Sequence, residues 1–111
     1  MEIDQLKTPL HKAVESRDIQ AVQDLIQKGA KIDARNKLKQ TPLHCAAMGN
    51  HALIVDLLLQ NGAEIDAQSQ DGETPLHESA LRGNVAVVEL FIKIGAKINK
   101  PNFYGLARVS C

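Results

Sequence analysis

Apolar residues fall along the chain in short bursts at helical spacing, separated by polar stretches. Ile54, Val55, Leu57 and Leu58 form one burst and Val87, Val88, Leu90 and Phe91 another, each marking one face of a short helix. Ahead of them stand Thr8-Pro9, Thr41-Pro42 and Thr74-Pro75. A Thr hydroxyl can accept a first-turn N–H, and Pro fits the first helical position, where its missing N–H has no partner to lose. These pairs predict first helices of about two turns. Polar breaks at Arg17-Asp18, Asn50-His51 and Gly83-Asn84 separate them from the second helices, with Asp18 and Asn84 as the predicted caps. Gly29, Gly62 and Gly95 stand where a left-handed residue ends the second helix. The stretch 64–73 is too polar for helix and predicts an extended turn ending in Gly72.

These signals recur. Thr8-Pro9-Leu10-His11 returns as Thr41-Pro42-Leu43-His44 and Thr74-Pro75-Leu76-His77, at an interval of 33 residues each time. Gly29-Ala30, Gly62-Ala63 and Gly95-Ala96 keep the same period, as do Ile32-Asp33-Ala34, Ile65-Asp66-Ala67 and Ile98-Asn99-Lys100. Two independent markers locked to one period define a repeat protein.

At these residues, over about 6–105, the chain resembles the ankyrin-repeat family. The family pattern runs Asp-x-x-Gly-x-Thr-Pro-Leu-His-x-Ala-Ala, then Gly-His, an Ile/Val-Leu-Leu helix and Gly-Ala-x-x-Asn. The resemblance implies an all-α solenoid of stacked helix-turn-helix pairs with β-hairpin/turn fingers. It would form a single domain over 1–111, with repeats at about 6–38, 39–71 and 72–104 and a partial fourth repeat or tail at 105–111. Departures from the pattern are local. Lys39 replaces the hairpin glycine that Gly72 and Gly105 supply, and Arg17 and Asn50 stand where Gly83 fits.

Composition narrows the function. A chain of 111 residues fits one domain, and thirteen Lys+Arg against thirteen Asp+Glu leave no net pull toward nucleic acid or an anionic membrane. Aromatics at 3%, with no Trp, argue against a base-stacking platform. The opening Met1-Glu2-Ile3-Asp4-Gln5 lacks a signal-peptide pattern, and two cysteines then point to reduced thiols in the cytoplasm. Charge is nonetheless segregated. Residues 28–39 carry five cations against Asp33, residues 56–78 carry six acids and no base, and from Arg82 onward five cations face only Glu89. Stacking turns these blocks into basic, acidic and basic stripes, which suits a protein partner with complementary stripes.

The candidate catalytic groups reduce to structural ones. His11, His44 and His77 lie one repeat apart, about 9–10 Å in stacked helices, whereas zinc ligands converge within about 2.1 Å of one point. The resemblance implies that each imidazole bonds turn backbone and ties hairpin to helix. His44 cannot activate Cys45, since adjacent helical residues point about 100° apart. With His51 they supply no set of zinc ligands at finger spacing. Cys45 reads as a small core residue, and Asp33 and Asp66 as turn residues. Phosphate-loop, dinucleotide, metalloprotease and nucleophile-elbow motifs do not occur. The expectation is a non-catalytic protein–protein interaction module with no cofactor and no metal. The alternatives are a targeting or regulatory segment of a larger enzyme or effector, or a self-associating unit.

Resemblance places partner contacts on the fingertips and the exposed, concave side of the first helices. The matching residues are Lys37, Leu38, Gln40, Met48, Gln70, Asp71, Glu73, Leu81, Arg82, Phe103, Tyr104 and Leu106, with Gly49, Glu15 and Ser16 beside them. Leu38, Met48, Leu81 and Tyr104 are apolar at solvent-facing positions and stand as candidate anchors. The two ends of the stack differ. Gln20, Ala21 and Asp24 replace Leu53, Ile54 and Leu57 and suggest an adapted first repeat. Ala86, Val87, Leu90, Phe91, Ile92 and Ile94 stay apolar in the third. That predicts a cover for its C-terminal face: a further repeat or a homodimer through this face, ahead of the tail 101–111 folding back.

The register makes a direct prediction. Leu43→Ala, between helix layers, should cost about 2–5 kcal/mol, while Lys37→Ala on a fingertip should be nearly neutral. Chemical denaturation of the two variants checks it; equal losses would contradict the register.

Overall fold

The computed structural model describes residues 7–95. It holds six helices: α1 (Pro9–Glu15), α2 (Ile19–Gln27), α3 (Pro42–Met48), α4 (Ala52–Gln60), α5 (Pro75–Leu81) and α6 (Val85–Ile94). Thr8, Thr41 and Thr74 each cap a first helix, accepting from the backbone N–H three residues on. Pro sits at the helix start in all three, and each first helix is seven residues long. Asp18 caps α2 as expected, accepting from the Ala21 N–H at 3.1 Å. Asn84 does not cap α6. Its amide reaches back instead to the Ala47 and Met48 carbonyls at 2.7 and 3.3 Å, groups left open where α3 ends.

Helix ends follow one design. At the end of α2 the Ala30 N–H reaches the Leu25 carbonyl (2.9 Å) and the Gly29 N–H that of Ile26 (3.0 Å), with Gly29 at φ 91°. Gly62 repeats this after α4 at φ 93°. First helices end the same way, but Arg17 and Asn50 take the left-handed position that Gly83 holds in the third repeat. The Arg17 guanidinium donates to the Gly49 carbonyl at 3.1 Å. Carbonyls at the end of α3 are thus held from both sides, by Arg17 of one neighbour and Asn84 of the other.

Packing forms two layers. First helices pack α1 on α3 on α5, second helices α2 on α4 on α6, and each first helix also packs on its own second helix. The core between the layers repeats with the sequence: Leu10, Leu43 and Leu76 are buried, as are Ile54, Val55 and Leu58 of α4. No strand occurs among the described residues. The fingers are tight turns, closed by Asn36 N–H to Gln40 O (3.0 Å) and Ser69 N–H to Glu73 O (2.9 Å).

Two expectations about the ends need correction. Leu53 is 73% exposed, so Gln20 in its place is no sign of an adapted end. Val87 and Phe91 are fully buried because they occupy the core positions of Ile54 and Leu58, inside their own repeat. The apolar surface left open on α6 is Val85, Ile92 and Ile94.

Lys39 and Gly72 occupy equivalent fingertip positions at φ 60° and 79°. A side chain there costs about 1–2 kcal/mol in backbone strain, offset in part by the freedom glycine brings to the unfolded chain. Lys39→Gly should therefore raise the thermal midpoint by a few degrees, about 4–8 °C at the most, and Gly72→Ala should lower it. Changes of the same sign in calorimetry would contradict this.

Candidate partner-binding face

The inner face is built on imidazoles. The His44 Nδ1 accepts the Thr41 backbone N–H at 3.0 Å, which closes the cap of α3 and leaves the ring proton on Nε2. That Nε2–H donates to the Glu73 carbonyl, 2.8 Å away in the next finger. His11 does the same one repeat earlier, joining Thr8 to the Gln40 carbonyl at 2.9 Å. The expected tie from imidazole to turn backbone is present, but it crosses into the following repeat. For His77 the equivalent acceptor would belong to Leu106, outside the described residues.

Further bonds lock finger to finger. Arg35 donates to the Lys39 carbonyl at 2.8 Å and the Gln68 carbonyl at 2.6 Å, and the Gln70 N–H to the Leu38 carbonyl at 2.9 Å. Asp33 accepts the Glu64 N–H at 3.1 Å, so this turn carboxylate also works between repeats.

The named contact residues sort clearly. Lys37, Leu38, Gln70, Asp71, Leu81 and Arg82 are exposed, with Leu38 at 46% and Leu81 at 65%. Gln40, Met48 and Glu73 are half-buried. The Gln40 amide meets the Met48 sulfur at 3.6 Å, on the wall of a cleft of about 270 Å³ that Glu15, Gly49 and Arg82 also line. Gly49 keeps this corner tight, since a Cβ there would come within 2.5 Å of the His51 ring. Phe103, Tyr104 and Leu106 lie outside the described residues.

A profile of ankyrin repeats matches residues 10–102 in three copies. The chain belongs to the ankyrin-repeat family. A comparison with curated proteins finds no match. Ankyrin repeats are generally protein–protein interaction modules and typically non-catalytic. In this ankyrin array no described helix is long and apolar enough to cross a membrane, and no metal-ligating cluster occurs among the described residues.

Titratable groups on the face carry large shifts. Burial pushes the Cys45 thiol up to about 12, which keeps it protonated and unreactive. Burial also drives His44 down to about 4, against the pull of its bond to the Glu73 carbonyl, and lowers His11. Sequence reasoning missed Glu78. It lies on α5 at only 8% exposure, and burial, then its hydrogen bond to the Glu73 side chain, push it up to about 7. The signal was available: position 78 is the equivalent of buried Cys45.

These shifts oppose each other in their effect on stability. The unfolded chain takes a proton on His44 below 6.5 while the folded chain refuses it until about 4, so stability is lost as pH falls through that window. Full loss is on the order of 3 kcal/mol. Glu78 ionises near 4.5 unfolded and near 7 folded, so its contribution is lost as pH rises. The wild type should therefore change little between pH 4.5 and 6.5. Glu78→Gln should be more stable than wild type at pH 8 and should fall steeply with acid. Thermal melts across pH check both arms; a flat profile for the variant would contradict the buried neutral His44.

Proposed function

We propose that this ankyrin array is a non-catalytic interaction module that captures a protein partner on its fingertips and the inner face of α1, α3 and α5. One observation carries the reading: Leu38 and Leu81 stand exposed beside half-buried Met48, on a face whose backbone is bonded from repeat to repeat. Exposed apolar side chains on a rigid support bind with little ordering cost. The groups best suited to chemistry are committed elsewhere, His11 and His44 to backbone and Cys45 to the core. We place the activity in the cytoplasm, in keeping with a free Cys45 thiol. Self-association is a second reading, favoured by Val85, Ile92 and Ile94 at 64%, 53% and 46% exposure on α6.

Leu38→Asp with Met48→Glu should abolish capture of the partner by immobilised protein while moving the thermal midpoint little. A large loss of stability would show that the two residues are core and contradict the reading. Sedimentation tests the second reading: a concentration-dependent dimer should become monomer on Ile92→Lys, and a strict monomer at high concentration would end it.

A further inference from the structure

The exposed face of α5 differs from those of α1 and α3 in the charge it holds. Lys7, Gln40 and Glu73 are equivalent positions ahead of the three first helices, and Glu15, Met48 and Leu81 are equivalent positions at their ends. In the first repeat Lys7 pairs with Glu15 at 3.2 Å. In the second the Gln40 amide donates to the Met48 sulfur. The third has no such match. Leu81 is 65% exposed, and Glu73 turns to the buried Glu78, so two carboxyls share one hydrogen bond.

Asp71 adds a third negative charge, and Arg82 attracts Glu78 only through space. Among the described residues no Lys or Arg forms an ion pair with Glu73 or Glu78. Carboxyls this close cannot both ionise freely, and the raised affinity of Glu78 for a proton is the consequence. A proton holds the position that a cation satisfies in the first repeat. The surrounding block, residues 56–78, contains six acids and no base.

We propose that the α3–α5 face docks a segment of the protein partner that carries Lys or Arg beside an apolar side chain. The cation lies on the Glu73–Glu78 pair and the apolar group on Leu81 and Met48. Charge complementarity selects this occupant, and the neighbouring basic finger of Lys37, Leu38 and Lys39 sets its direction, with the segment's acidic end toward the first repeat. The inference rests on the interaction reading above.

Fluorescence anisotropy with labelled peptides of Lys-Leu-Gly repeats tests it, against versions with Gln or Glu in place of Lys. The Lys peptide should bind the tightest, and Glu73→Gln with Glu78→Gln should weaken it about tenfold or more. Asp56→Asn with Glu64→Gln removes equal charge from the second-helix side and should leave binding within about twofold. Both double variants should keep the wild-type circular dichroism. Equal binding of the Gln or Glu peptide, equal weakening by the two double variants, or no binding of the Lys peptide would each overturn the proposal. Binding of a Gln or Glu peptide that Leu38→Asp abolishes would overturn the basic occupant alone and leave the interaction reading standing.

Discussion

Capture of the next finger's carbonyl by a buried, neutral imidazole is the constraint on which the array depends. Hydrophobic burial drives the stacking, but it is non-directional, and Leu10, Leu43 and Leu76 present the same side chain at every level. A core of that kind tolerates sliding between layers. The bonds from His11 to Gln40 and from His44 to Glu73 do not, since each has one geometry and a buried donor left unpaired is costly. Because the other ring nitrogen closes the helix cap at Thr8 or Thr41, one side chain couples helix start, finger and neighbouring repeat. The imidazole must stay neutral for this, and its burial keeps it so.

The functional face follows from what these bonds leave over. They involve backbone and the roots of the fingers, so Lys37, Leu38, Gln70 and Asp71 at the tips, and Glu15 and Leu81 on the helices, remain open to solvent. Open groups on a locked backbone are prepared for binding rather than for chemistry. The middle repeat is the most strongly held, with the end of α3 bonded by Arg17 and Asn84 from its two neighbours. At the third repeat the charge pattern changes, and the buried pair of Glu73 and Glu78 leaves a surface poorer in cations than the rest.

Much of this was legible in the residues. Thr-Pro pairs, Gly29 and Gly62, and the period of 33 suffice for six helices in their observed positions, because caps and left-handed helix ends depend on local sequence. Contacts across repeats were not legible in the same way. Asn84 carries a capping side chain at a capping position, yet the open carbonyls of α3 compete for its amide and prevail. Leu53 looks like core by type and is solvent-exposed, while Phe91 looks like an open end and is core; both outcomes depend on which turn of a short helix faces the adjacent layer. Glu78 escaped notice because a carboxyl at a buried position becomes intelligible only with Glu73 beside it.

The state of the His44 ring tests the account most directly. Nitrogen NMR of histidine-labelled protein at pH 7 should show His44 as the neutral tautomer protonated at Nε2, with that proton in slow exchange and coupled through its hydrogen bond to the Glu73 carbonyl. A ring protonated at Nδ1, or one exchanging freely like a solvated imidazole, would contradict the claim that this bond holds the repeats in register.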